Sequence, residues 1–242
     1  MEELIVRVTD LSGTQGLRPV TGGVPLPEGA APEGTCFHLR ATNGDEQMLQ
    51  TEVLARWKDG SARWVLLDFL ADPPPHGSAD YVLCCTKQEP GAKTPDMPRL
   101  SSTRDLLLDV AGRAGIDFVL TAADGTACAA VAEHIEEECV GPVRSTLALR
   151  GSFRRPSGQR VFQFRLRASV YAGLALAKLE PMILVDAEEG VVHPLRALTL
   201  HVRFRRAPST VRLGGTPGWE GAPREAVRLF QRDDARYIIQ GL

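Results

Sequence analysis

The chain has 242 residues, 43% of them hydrophobic and 24% charged, which is the composition of a globular protein and excludes intrinsic disorder. Its formal net charge of −2 excludes a globally basic nucleic-acid binder. No apolar run approaches the roughly 20 residues of a membrane helix, so no membrane partner is expected. The start, Met1-Glu2-Glu3-Leu4, lacks the basic segment and apolar core of a signal peptide, which predicts a cytoplasmic location. Five cysteines cannot all pair within one chain, and a reducing compartment keeps them as thiols. Cys84 and Cys85 are adjacent in an apolar strand and point to opposite faces. Cys128, His134 and Cys139 have no zinc spacing. No metal and no cofactor are therefore expected.

Taken in chain order, the apolar period is two almost everywhere, which means strands. Leu4 to Val8 is the first. Gly13 to Gly34 carries Pro19, Pro25, Pro27 and Pro32 and reads as loop and edge structure, because proline removes ladder donors. The run from Glu52 to Phe69 is a hairpin over Asp59-Gly60, since Gly60 readily takes a positive φ and Asp59 tolerates one. Trp57 and Trp64 flank that turn and are placed to pack across it; the functional alternative is a platform for stacking a sugar. Tyr81 to Thr86 is a further strand. Gln88 to Ser102, with Pro90, Gly91, Pro95 and Pro98, reads as a linker. It divides the chain into a domain over 1–95 and a second over 96–242.

Beyond the linker, Asp105 to Val110 and Ile116 to Thr121 are expected to pair, with a second turn at Asp124-Gly125. Ala127 to Cys139 is Ala- and Glu-rich but sits among strands and is read as one. Val143 to Gly151, Val161 to Tyr171, Leu174 to Val185 and Ala197 to Arg206 complete a series whose short connections favour antiparallel neighbours. Alternating faces on long antiparallel strands argue a β-sandwich. Gly214 to Gly218 reads as a loop, and Arg236 to Gln240 as a last strand.

The small net charge hides a split. Residues 1–142 hold 11 Lys+Arg and 22 Asp+Glu, while residues 143–206 hold 12 and 4. Phe162, Phe164, Leu166 and Ala168 share one strand face, and Gln163, Arg165 and Arg167 the other. Leu198, Leu200, Val202 and Phe204 likewise oppose Thr199, His201, Arg203 and Arg205. If these strands are neighbours, one surface carries Arg165, Arg167, Lys178, His201, Arg203 and Arg205. It could bind an acidic polysaccharide or oligosaccharide, since the arginine fork suits carboxylates. It could equally be a solvated sheet face with cross-strand pairs, or a docking face for the acidic first domain or a partner subunit. The aromatics fall on the opposite face, so nucleic acid is not an expected partner.

Three stretches carry a resemblance. Val20 to Gly29 is similar to the opening of the exo-rhamnogalacturonan lyase-like family, Leu54 to Val65 resembles its signature hairpin, and Gly141 to Leu147 with Tyr171 to Glu180 resemble its next domain. The resemblance implies a small RIFT-type β-barrel followed by a central β-sandwich and then an α/α toroid. It also implies action on pectin-type rhamnogalacturonan by β-elimination beside a uronate. No toroid follows in this chain, so the resemblance implies a partial sandwich and a non-catalytic N-terminal portion of a carbohydrate-active protein, structural or acidic-polysaccharide-binding. The enzyme alternative is a minimal lyase using the Arg165, Arg167, His201 and Arg203 face with His201 or Tyr171 as base; another is a protein-docking module. No catalytic residue can be carried over from the family.

Overall fold

The computed structural model describes residues 3–13, 15–87, 116–186 and 193–202, together with 210–213, 219–222, 228–231 and 237–240. The expected linker at Gln88 to Ser102, the strand at Asp105 to Val110, the loop at Gly214 to Gly218, and Arg203, Phe204 and Arg205 lie outside the described residues. The protein is all-β, and no helix occurs among the described residues. Two compact units divide it, residues 1–201 and residues 202–242.

Within the first unit, β1 (Leu4–Thr9), β2 (Arg18–Pro25), β3 (Thr35–Ala41), β4 (Glu46–Gln47), β5 (Leu49–Arg56), β6 (Ala62–Ala71) and β7 (Ser78–Lys87) form two sheets. Their orders are β1-β7-β3-β4 and β2-β6-β5, and together they make a nearly closed barrel. The Gly/Pro stretch thus contains a true strand, β2. It is an edge strand, paired on one side only with β6, which is the position where Pro19 and Pro25 can be tolerated. Strict alternation sends Val65, Leu67, Phe69 and Ala71 inward. They pack with Leu39, Tyr81 and Leu83, and the Phe69 and Tyr81 rings meet edge-on at 5.1 Å.

The hairpin over Asp59-Gly60 forms as the sequence predicts, with Gly60 at φ 84°. The two tryptophans do not face each other across it. A bulge between Val53 and Arg56 puts Ala55 opposite Trp64 and leaves Trp57 beyond the ladder. Trp57 instead donates from Nε1 to the Leu26 carbonyl at 2.9 Å. Trp64 lies over Gly23, where any Cβ would come within 2.1 Å of the indole nitrogen.

The expected sandwich is represented among the described residues by one six-stranded sheet, antiparallel from β12 through β8. It is built from β8 (Ile116–Ala122), β9 (Ala127–Val140), β10 (Arg144–Arg154), β11 (Arg160–Tyr171), β12 (Ala177–Leu184) and β13 (Leu195–Val202), in the order β12-β11-β10-β9-β8-β13. The Ala/Glu-rich segment is the 14-residue strand β9. Its helix-forming composition is overridden by pairing with β10 along its length. On one face Phe118, Phe153 and Phe164 cluster with ring centroids 4.9–5.6 Å apart. Gly151 makes room for them, because a Cβ there would meet the Val131 carbonyl at 2.0 Å and the Phe164 ring at 2.9 Å.

In the second unit β14 (Val211–Leu213) pairs with β15 (Trp219–Gly221), and β16 (Arg228–Gln231) with β17 (Tyr237–Gln240), both antiparallel.

Candidate functional site

The residues expected to form one basic face divide in two. Lys178 on β12 and Arg165 and Arg167 on β11 are on adjoining strands, with Arg167 opposite Glu180 and Lys178 opposite Ser169. His201 is exposed on β13, at the far edge of the sheet and four strand spacings from β11, or roughly 19 Å at the usual inter-strand distance. The strands carrying these residues are therefore not neighbours as a single ligand face required, and His201 stands apart from the arginines. Arg203 lies outside the described residues.

The arginines are also already matched. β9 bulges between Thr146 and Leu147 of its partner strand, leaving Glu138 as the extra residue. Its carboxylate reaches across β10 to both guanidiniums, pairing with Arg165 and, at 2.7 Å, with Arg167. Lys178 pairs with Glu180 at 2.9 Å, Arg150 with Glu136 at 3.0 Å and Arg154 with Glu133 at 2.7 Å. Arg160 holds Asp186, and Arg155 holds Asp124 at 2.8 Å. The charge split seen along the chain closes within the sheet, because acidic β9 lies beside basic β10, with basic β11 one strand further on. Apart from Lys178–Glu180, which lies within β12, the arrangement is charge pairing between strands and their connections.

Tyr171, the other candidate base, is buried and opposite Arg144 at the end of β11. Burial raises its phenol, outweighing the nearby Lys178 and Arg144 charges. A raised phenol holds its proton, which does not suit a general base.

Sequence reading missed the polar cluster beside Tyr171. Thr21, Asp68 and Gln50 stand in one register row across β2, β6 and β5, on the outer side of the barrel. Asp68 is 4% exposed. It accepts from the Thr21 hydroxyl and from Arg144 Nη2 at 3.0 Å, with Arg144 Nε at 2.9 Å. Arg144 continues to Thr146 Oγ1 at 3.2 Å, and Thr146 shares a 2.8 Å hydrogen bond with Ser169. Gln50 Oε1 accepts from the Val143 and Arg144 backbone N–H groups at 3.2 and 2.9 Å, and its Nε2 donates to Cys139 Sγ at 2.8 Å. Gly141 closes over the Gln50 amide so tightly that a Cβ would fall 2.2 Å from it. Burial raises the Cys139 thiol, more than the Arg144 charge lowers it. Three barrel side chains and one end of the six-stranded sheet thus form a single joint. The one signal in the sequence is a lone carboxylate inside the apolar run Val65-Leu66-Leu67-Asp68-Phe69, since a buried charge demands a partner.

Two further polar places are structural. Asp10 accepts from the N–H and hydroxyl of Ser12 at 3.0 and 2.8 Å, from the His76 N–H at 2.9 Å and from Arg18. Burial pushes this carboxyl up, but those donors together hold it well below the usual carboxylate range. They tie the β1–β2 and β6–β7 connections together. A shallow pocket of about 540 Å³ is lined by Arg7, Thr42, Asn43, Asp72, Asp80 and Tyr81. Arg7, the cation in it, is spent on a two-pronged pair with Asp80, both bonds 2.7 Å. Among the described residues no group of three or more His, Cys, Asp or Glu side chains could hold a metal ion.

No curated protein matches the chain. Residues 6–76 match the family model of the PcRGLX-like N-terminal RIFT barrel domain, a span running from within β1 almost to the end of the β6–β7 connection. The barrel of this chain is therefore an exo-rhamnogalacturonan lyase-like N-terminal domain.

Proposed function

We propose that this chain is a non-catalytic, structural module of a carbohydrate-active, rhamnogalacturonan lyase-like protein, in which the barrel braces the six-stranded sheet. The observation that carries the reading is the buried joint of Asp68, Arg144 and Gln50. A buried pair of this kind is costly to break and fixes one arrangement of the parts it joins. The sheet supports the same reading, because Arg165, Arg167 and Lys178 are engaged by Glu138 and Glu180 and offer an incoming carboxylate no free fork.

The test is incubation of the full chain with rhamnogalacturonan, following the ultraviolet absorbance of the unsaturated uronate that β-elimination leaves. The reading expects no increase over buffer. An increase that disappears on replacing Arg165 and Arg167 by Gln would overturn it and establish the minimal lyase instead.

A further inference from the structure

The cations of the six-stranded sheet between Arg144 and Lys178 all have carboxylate partners. Those at the tip of the β5–β6 hairpin do not. Residues 1–87 hold 7 Lys+Arg against 12 Asp+Glu, yet three of the seven, Arg56, Lys58 and Arg63, fall within eight residues of that tip. All three are exposed, and among the described residues none has a carboxylate partner. Asp59, the one acid within residues 56–64, is turned onto the N–H and hydroxyl of Ser61 at 2.9 and 2.6 Å. Glu28 and Glu33 on the β2–β3 connection are exposed and pair with none of the three.

The tip is also held still. The Trp57 N–H donates to the Ser61 carbonyl at 2.8 Å and the Gly60 N–H to the Trp57 carbonyl at 3.1 Å. Arg56 Nη1 donates to the Gly60 carbonyl at 2.9 Å, and the Gly29 N–H to Ser61 Oγ at 2.9 Å. The Arg63 guanidinium rests 4.7 Å from the Trp57 ring centroid, an attraction that leaves its N–H edge available. Next to it Trp64 is 42% exposed, laid against Gly23 where no side chain can intervene.

We infer that this hairpin tip is a binding site for a carboxylate-bearing sugar chain: uronate carboxylates pair with Arg56, Lys58 and Arg63, and a sugar ring lies on Trp64. The guanidinium forks suit carboxylates, and an indole offers an apolar face with a polar edge. A rigid site spends little of its binding energy on ordering itself. Nucleic acid fits less well, because single strands stack on successive aromatic platforms, whereas the Trp57 face is occupied by Arg63 and only Trp64 is offered. The inference stands apart from the scaffold reading, since the tip shares no residue with the joint.

The experiment titrates the full chain with de-esterified polygalacturonate at 50 mM salt, read by quenching of tryptophan fluorescence and by calorimetry. Saturable binding is expected, with at least a fivefold loss for Trp64→Ala and at least a tenfold loss for the triple variant Arg56→Gln, Lys58→Gln, Arg63→Gln. Arg150→Gln with Arg154→Gln should leave binding unchanged. Cooperative urea unfolding certifies each variant as folded, and Arg56→Gln with Lys58→Gln replaces the triple variant if that fails to fold. The inference is overturned if the wild type does not bind, if the folded charge variants bind as the wild type does, or if polyglutamate or a single-stranded oligonucleotide of equal charge binds as tightly.

Discussion

Single carboxylates in this protein are placed by what donates to them, and that sets its response to acid. Arg155 first, then the N–H and hydroxyl of Thr126, lower Asp124 to about 2. Asp10 is held lower by His76, Ser12 and Arg18, against the upward push of burial. Both carboxyls are depressed in the folded protein, so each contributes stability that is complete above the unfolded value near pH 4. That stability is lost as pH falls through the folded value. Acid titration of the urea midpoint should show a decline below about pH 4 that is shallower in Asp10→Asn and in Arg155→Gln. A decline of equal steepness in both variants would remove these two carboxylates from the account. The sequence identified Asp124 as a turn residue, but the donors around Asp10 come from positions up to 66 residues away and carry no local pattern.

At the level of elements, β9 shows how composition and environment can disagree. Its Ala- and Glu-rich sequence favours a helix, while its neighbours need a strand with acids to face basic β10 and β11. The strand wins because burying Cys128 on the phenylalanine cluster and satisfying the sheet's arginines both require extended backbone. Period-two alternation made the faces of β11 legible: Phe162, Phe164, Leu166 and Ala168 are buried as expected. Strand order was not legible, because alternation states which face a residue is on and nothing about which strand lies beside it. Lys178 and the two arginines came together on that account, and His201 did not. The bulge that delivers Glu138 was equally invisible. Glu138→Gln should lower stability by about 1 kcal/mol, since the pair is only partly shielded. The urea midpoint should shift with the slope unchanged. An unshifted midpoint would mean that Arg165 and Arg167 do not depend on Glu138.

For the molecule as a whole, the barrel could be anticipated from the hairpin, the Gly/Pro edge and the resemblance, because these are local in sequence. The joint could not, because Gln50, Asp68 and Arg144 meet only after two sheets have folded. Asp68 hinted at a partner by lying in an apolar strand, yet nothing in its neighbourhood named Arg144, 76 positions away. The account's central claim is that this joint makes barrel and sheet one mechanical body. The most direct measurement is a double-mutant cycle in urea on Asp68→Asn, Arg144→Met and the pair together. Each single change should cost about 3 kcal/mol by stranding a buried polar partner, and the double should cost well below their sum, with a coupling of about 1.5 kcal/mol or more. Additivity within about 0.5 kcal/mol, the behaviour of independent sites, would contradict the claim.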